Sequence, residues 1–380
     1  MRFATKAVRA GNEPDEKTGA VSPPIYTAST FAQDGIGKPR GYEYSRSGNP
    51  TRERLERAVA TLEQGRHGLA FSSGLAAITN VGSLLKKGDQ VLICNDVYGG
   101  TFRLFNRVFS NFGITFKMVD ATDLDSLERA VSNRTRMVWL ESPTNPLMAI
   151  LDIRAISKVA KNRGLILAVD NTFASPYLQN PLKLGATIVV HSTTKYISGH
   201  SDLIGGALAL SDQELYERLK FLQNAMGAVP SPFDCYLTLR GIRTLYLRMV
   251  QHSSNALAIA ELLEKSDKVR NVYYPFLRSS KTYKLARRQM VLGGGMLSFT
   301  VKGGYKPAKA FLESLKLFSL AESLGGVESL AEHPARMTHS SLPEKERKKM
   351  GIGDDLVRLS VGVEDRDDLL GDVEQALKRA

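Results

Sequence analysis

Short apolar runs alternate with helical windows along most of the chain. Runs at 68–71 (GLAF), 90–94 (QVLIC), 115–119 (TFKMV), 136–141 (RMVWLE), 165–170 (LILAVD), 186–191 (ATIVVH) and 204–210 (IGGALAL) predict strands. Between them, 75–86, 99–112, 123–131 and 152–163 repeat their apolar positions at helical spacing. Repeated strand–helix alternation predicts an α/β architecture, a mostly parallel sheet covered on both faces. In such sheets ligands sit at the carboxyl ends of the strands. Ahead of this pattern, residues 11–50 carry turn signals at Pro23-Pro24, Gly35, Gly37 and Pro39 and predict an extended arm. A helix is expected from Thr51, its predicted N-cap, because Leu55, Val59 and Leu62 follow at helical spacing. Beyond an amphipathic window at 243–265 the texture changes. Strands at 268–273, 296–301 and 355–361, with helices at 306–316 and 365–378, predict a second, smaller α+β unit. Residues 338–354 are expected to form a charged surface loop.

Composition narrows the classes. Of 380 residues, 43% are hydrophobic and 24% charged, which places the chain among ordinary globular proteins. The 51 Lys and Arg exceed the 39 Asp and Glu by 12, a surplus that admits a nucleic-acid partner, anionic substrates or simple solubility. A basic nucleic-acid-binding protein is the reading from another class. It finds no RRM, KH, zinc-finger or basic-zipper pattern, and the runs EKERKKM (344–350) and LARRQM (285–290) read as solvated faces. Two cysteines, Cys94 and Cys235, exclude a disulfide framework, read as buried apolar residues and favour a reducing, cytoplasmic setting. The six histidines are scattered and no HExxH or CxxC occurs, so no metal site is expected. His200 reads as structural. The first residues have no apolar core of a secretory signal, and no window of about 18 apolar residues predicts a membrane span.

The stretch HSTTKYISGHSD (191–202) is the most informative. Lys195 follows an apolar strand, and Asp170, 25 positions earlier, ends another, so both fall at one carboxyl edge. The plain reading is a helix-capping aspartate and a solvated lysine. The chemical reading is a site for pyridoxal 5′-phosphate (PLP), with the lysine amine bonded to the cofactor aldehyde and the carboxylate facing the protonated ring nitrogen. Burial would then lower the Lys195 pKa. A phosphate cradle is available in FSSGLAA (71–77). Its strand–turn–helix pattern would aim the Gly74 and Leu75 N–H groups at an anion, with Ser192 and Thr194 hydroxyls beside them. LGGGM (292–296) lacks the GxGxxG spacing of a dinucleotide site. Tyr98, before two glycines, would be free to stack on a flat cofactor, or would be a core tyrosine at a turn. Arg358, inside a predicted strand, suits bidentate capture of a substrate carboxylate, or lies on an edge strand facing water.

Taken together, YSRSGNPT (44–51), FSSGLAA (71–77), DVYGGT (96–101), ESPTNP (141–146), VDNTF (169–173), STTKYISGHSD (192–202), ESLGGVESL (322–330) and RLSVGVED (358–365) resemble the Cys/Met-metabolism family of PLP enzymes. FLQNAMGAVPSPFDCYL (221–237) points toward its γ-eliminating members. The resemblance implies fold-type I architecture, with an arm over 1–46, a PLP-binding large domain over 47–246 and a small domain over 247–380. It implies a homotetramer of two catalytic dimers, in which Tyr44 and Arg46 reach the neighbouring subunit's cofactor phosphate. It places Asn145 near the ring oxygen and the substrate carboxylate, and Ser323 with its backbone on that carboxylate. Glu328 and Arg103 come near the substrate's distal end. The implied reaction is α,γ-elimination of L-cystathionine to L-cysteine, 2-oxobutyrate and ammonia. Gly100, where the methionine-cleaving branch is expected to carry cysteine, argues against that branch. Glu328 makes β-elimination less favoured, and γ-replacement on an activated homoserine is the main alternative.

Overall fold

The computed structural model describes residues 1–338, 345, 347 and 350–380. Residues 339–344, 346, 348 and 349, which make up most of the segment predicted as a charged loop at 338–354 and part of the basic run 344–350, therefore lie outside the described residues. Seven strands form the larger sheet: β1 (His67–Phe71), β2 (Gln90–Cys94), β3 (Thr115–Val119), β4 (Thr135–Glu141), β5 (Ile166–Asp170), β6 (Ile188–Ser192) and β7 (Gly206–Leu210). Their order is β1-β7-β6-β5-β4-β2-β3. Neighbours from β6 to β3 run parallel, whereas β7 is antiparallel to both β1 and β6. Strands covered on both faces need apolar side chains throughout, and ILAVD and IVVHS are buried along almost their whole length. The pairing sets Glu141 opposite Asp170 and Asp170 opposite Val190, which brings the ends of β4, β5 and β6 to one edge.

The second sheet contains β8 (Val269–Tyr273), β9 (Met296–Val301), β10 (Ser319–Leu320), β11 (Leu330–Glu332) and β12 (Leu356–Ser360) in the order β10-β11-β12-β9-β8. Its core includes Phe299 packed edge-on against Phe311 at 5.2 Å, with Val357, Leu359 and Leu369 around them. Arg358 thus sits in the middle strand, paired with Glu332 and Ser298, and not on an edge.

Three local departures from the sequence reading have physical causes. The helix Pro50–Glu63 is capped by Asn49 and not by Thr51. Asn49 Oδ1 accepts from the Thr51 and Arg52 N–H groups at 2.9 and 3.2 Å, and Pro50 supplies a preset first helical residue. The Thr51 hydroxyl accepts from Tyr26 N instead and ties the arm to the helix. The window 99–112 is broken into an α-turn (Gly99–Arg103), a π-turn (Leu104–Val108) and a 3₁₀ turn (Phe109–Phe112) that ends at Gly113 with φ +74°. The helices Phe3–Arg9, Gln213–Met226, Pro232–Ile242 and Tyr283–Gln289 were not foreseen. Among the described residues no helix is long and apolar enough to cross a membrane.

Asn49 also donates to Tyr26 O and Ser45 Oγ, so one side chain joins the cap to the arm. Replacing it with Ala should cost about 1–2 kcal/mol, the upper part of the range for a lost cap. Equilibrium urea unfolding measures this, and an unchanged midpoint would refute the assignment.

Candidate active site

The chain leaves β6 at Ser192 and turns through 193–198, and this turn carries Lys195. Lys195 Nζ donates to Ser323 Oγ at 2.6 Å. Burial, then the Arg358 charge, lower the Lys195 pKa to about 8 against the opposing pull of Glu332 and Glu322. Ser323 has φ +92°, a conformation that costs a residue with a side chain energy and marks a site held by its surroundings. Two residues on, a Cβ at Gly325 (φ +77°) would stand 2.7 Å from Tyr196 N. Only glycine lets the segment 323–325 lie against the lysine turn.

Beside β6 stands the start of the helix Gly74–Gly82. Ser73 Oγ caps it by accepting from Ala76 N at 3.0 Å. The N–H groups of Gly74 and Leu75 belong to the first turn and have no carbonyl within the helix to accept them. A Cβ at Gly74 would sit 3.1 Å from Ser192 Oγ, so that hydroxyl adjoins the helix start. The Thr194 hydroxyl is engaged differently: it accepts from Gly205 N at 3.0 Å and donates to Gly205 O at 3.3 Å, holding the approach to β7.

Asp170 is buried at the end of β5, and Thr172 N donates to it at 3.0 Å. Burial raises its pKa, while the Thr172 hydrogen bonds and the His191 imidazole act in the opposite direction. Glu141, opposite Asp170 in the sheet, accepts from Tyr98 N at 2.9 Å. Burial and the Asp170 charge push Glu141 well above the usual carboxylate range. Asp96, pushed up to about 6 by burial, accepts from Leu147 N at 3.2 Å. Glu141 and Asp96 lie inside motifs that the sequence singled out, yet neither had been given a role. Tyr98 precedes the short helix Gly99–Arg103, and its partly exposed ring folds over Gly100, where a Cβ would overlap it. Beneath this edge lies a buried pair that also escaped the sequence reading. His191 Nε2 and Glu63 Oε1 are 2.6 Å apart, and Asn171 Nδ2 donates to the same carboxylate at 2.8 Å.

Arg358 is 2% exposed. Its Nη1 donates to Asn145 Oδ1 at 2.9 Å and its Nη2 to Ser323 O at 3.0 Å, and Nη2 forms an ion pair with Glu332 Oε2 at 3.0 Å. Its Nε is buried without a partner. Asn145, Ser323, Lys195 and Arg358 therefore form one contact set, with Glu332 as an unforeseen member. Of the acids in ESLGGVESL, Glu322 is the one whose charge reaches Lys195, whereas Glu328 lies beside Gly326 and acts on His252. Arg103 is exposed, with its guanidinium alongside Gly99. Tyr44 and Arg46 stand on the outer surface. Arg46 stacks over the Tyr44 ring at 5.5 Å and donates to Asn224 Oδ1 at 3.3 Å. Cys94 and Cys235 are buried and free. His200 is exposed, its Nδ1 2.7 Å from Ser198 O. Among the described residues no group of His, Cys, Asp or Glu is arranged to hold a metal ion.

The set fits an aldehyde cofactor that carries a phosphate: an amine of lowered basicity, a helix start with unused N–H groups beside a serine hydroxyl, and a buried carboxylate. A family model described as "Cys/Met metabolism PLP-dependent enzyme" matches residues 4–378. The chain belongs to this family. Its cofactor is pyridoxal phosphate and its architecture is that of the fold-type I PLP enzymes. Similar proteins include a cystathionine gamma-lyase of Dictyostelium discoideum, 53% identical over 379 residues, which covers 100% of this chain and 98% of the relative. A cystathionine beta-lyase of Coxiella burnetii is 52% identical over 375 residues, covering 98% and 97% respectively. The crystal structure of a cystathionine gamma synthase of Xanthomonas oryzae pv. oryzae, in complex with aminoacrylate and cysteine, superposes with a TM-score of 0.98 at 47% identity and covers 100% of this chain and 98% of its own. The protein is thus a PLP-dependent enzyme of the cystathionine lyase and synthase group.

The lowered Lys195 pKa sets a pH dependence. The amine attacks only when neutral, and here it is protonated below about 8 and neutral above. Covalent uptake of pyridoxal phosphate by the cofactor-free protein should accelerate as pH rises and level off above about 8. Stopped-flow absorbance against pH reads this directly, and an inflection near ~10.4, the value of a free lysine, would contradict the site.

Proposed function

We propose that the protein catalyses α,γ-elimination of L-cystathionine with water to L-cysteine, 2-oxobutyrate and ammonia. The observation that carries the reading is the contact set in which Arg358, with its unpartnered buried Nε, stands beside the Lys195 amine held at Ser323. Arg358 is the anchor for the substrate α-carboxylate, which brings the α-hydrogen to Lys195. Asn145 and Glu332 hold the guanidinium in place. Lys195 accommodates the cofactor and, once freed, removes the α-proton at Nζ. Asp170 would hold the ring nitrogen, and Gly74, Leu75 and Ser192, with the Thr194 hydroxyl on leaving Gly205 O, would hold the phosphate. When bound, the cofactor withdraws electrons from the α-carbon. Tyr98 lies over the ring and protonates the departing thiolate. Each such placed proton transfer is typically worth ~10²–10⁴-fold. Glu328 and Arg103 serve the distal part of the substrate. The segment 221–237 supports γ-elimination, and Gly100, over which the Tyr98 ring folds, argues against the methionine-cleaving branch.

The family includes γ-synthases and β-lyases, so γ-replacement on an activated homoserine is the second reading and β-elimination the third. The domain division 1–46, 47–246 and 247–380 belongs to the same proposal, as does a homotetramer in the cytoplasm. Exposed Val21, Ile36 and Tyr44 give the arm an apolar surface suited to a neighbouring subunit. On that arm Tyr44 and Arg46 would meet the neighbour's phosphate.

Supplying L-cystathionine and identifying the keto acid decides the reaction. 2-Oxobutyrate is the expected product, whereas pyruvate would mean β-elimination. Turnover of an activated homoserine with cysteine, and no keto acid from cystathionine, would mean the synthase reaction. Lys195→Ala should lose the yellow absorbance of the bound cofactor together with nearly all turnover. Arg358→Lys keeps the charge but loses the fork, and it should raise KM strongly through lost carboxylate orientation; an unchanged KM would remove the anchor assignment.

A further inference from the structure

The turn that carries Lys195 is held from below by an arginine that the reaction scheme leaves unused. Arg248 lies in the first turn of the helix Leu245–Lys265 and is 6% exposed. Its Nη1 donates to Tyr196 O at 2.7 Å, its Nη2 to Gly241 O at 2.8 Å and to Ile197 O at 3.4 Å, and its Nε to Thr244 Oγ1 at 3.1 Å. The guanidinium therefore bonds three backbone carbonyls and one hydroxyl, with no carboxylate among these partners. Burial without an anion lowers its pKa to about 10. Such a group is costly unless its geometry is needed.

The other carbonyls of the turn are occupied as well. Thr193 O accepts from Ser198 N at 3.0 Å, Thr194 O from Ser198 Oγ at 3.2 Å, and Lys195 O from Gly199 N at 2.9 Å. Tyr196 O and Ile197 O are left, and Arg248 takes both. Gly199 (φ +73°) makes this possible, because a Cβ there would overlap Arg248 Nη1. The helix Pro232–Ile242 is pressed onto the same turn, since a Cβ at Gly241 would overlap Ser198 O.

We propose that Arg248 is the positioning residue of Lys195: by joining Tyr196 O and Ile197 O to Gly241 O it fixes the backbone of the turn, so that the Lys195 amine points to Ser323 and to the cofactor aldehyde. This rests on Lys195 being the cofactor lysine. The chemistry affected is condensation of the neutral amine with the aldehyde of pyridoxal 5′-phosphate, which forms one carbon–nitrogen double bond and releases one water. Arg248 takes no part in that bond change.

The test uses the full chain without cofactor, mixed with increasing pyridoxal 5′-phosphate at a fixed pH. Association is read from the concentration that half-saturates the rate, and alignment from the limiting rate of covalent uptake. Arg248→Lys keeps a cation but cannot span the carbonyls. It should slow the limiting rate roughly ten- to hundredfold, the scale of an ångström-sized misplacement, and leave the half-saturating concentration unchanged because the phosphate cradle is intact. Thr244→Val removes the acceptor of Nε together with the Thr244 Oγ1 donation to Gly241 O, a carbonyl that Arg248 Nη2 still bonds, and should slow the rate by a smaller factor without moving the melting temperature of the cofactor-free protein. A merely structural role would lower that melting temperature and leave the limiting rate of the folded fraction as in the parent. An unchanged limiting rate in Arg248→Lys overturns the proposal. Should that variant not fold, an unchanged rate in Thr244→Val does the same. Borohydride reduction and peptide mapping of the parent protein keep the two readings apart. Label on a residue other than Lys195 refutes the cofactor assignment, whereas label on Lys195 with unaltered variant rates refutes only the role of Arg248.

Discussion

A buried guanidinium has to find acceptors, and those that Arg358 finds come from both halves of the molecule. Asn145 follows β4 of the larger sheet, Glu332 ends β11 of the smaller one, and Ser323 O belongs to the segment between β10 and β11. The Glu332 pair lies within the smaller sheet, so the bond that ties the two sheets at this point is the one from Arg358 Nη1 to Asn145 Oδ1, a hydrogen bond to a charged group and typically worth ~1.5–3 kcal/mol. Lys195 lies beside the same junction through Ser323 Oγ. In the roles proposed for them, the Lys195 amine and Arg358 would act on one substrate without either element moving. The Nε left without a partner is the place where this arrangement is incomplete in the protein alone.

Electrostatics divides the work among acids that burial would otherwise treat alike. Asp170 and Glu141 end neighbouring strands in register, and burial pushes both upward. Asp170 receives two Thr172 hydrogen bonds and the His191 field, which favour its charged form. Glu141 faces the Asp170 charge and is driven further up. Two like charges at one strand edge are avoided by separating their ionisation. The more easily charged acid is then the one suited to face a protonated ring, and the other serves by holding the Tyr98 backbone.

What the sequence made legible follows from the range of the interactions. Lys195 and Asp170 could be read because each terminates an apolar run, and strand ends in parallel sheets converge at one edge. Arg358 stood out as a cation within an apolar run. Asn145, 213 positions away, and Ser323, 128 from Lys195, were brought to it by the resemblance and not by local pattern, and neither Glu332 nor the Glu63–His191 pair, 128 positions apart, could be read at all. The helix Gln213–Met226 escaped because it buries only Leu215, Leu219 and Gln223 while Phe221 faces outward, so its apolar stripe is short and interrupted. The continuous helix expected at 99–112 failed for a different reason. Apolar spacing does not distinguish a 3.6-residue turn from the wider and tighter turns that replace it here.

Relatives named cystathionine gamma-lyase, cystathionine beta-lyase and cystathionine gamma-synthase stand at 53%, 52% and 53% identity to this chain. Overall identity therefore does not separate the three reactions. In the proposed γ-elimination one base would serve the α-carbon and then the β-carbon, and Lys195 is the group proposed for both. Such a lysine needs a mobile side chain on an immobile backbone. The structure supplies both. The side chain has a single hydroxyl to leave, Ser323 Oγ, while every carbonyl of its turn from Thr193 to Ile197 is already bonded. On that proposal, mobility confined to the four-carbon stem would keep the amine on one face of the substrate as it passes from one carbon to the next.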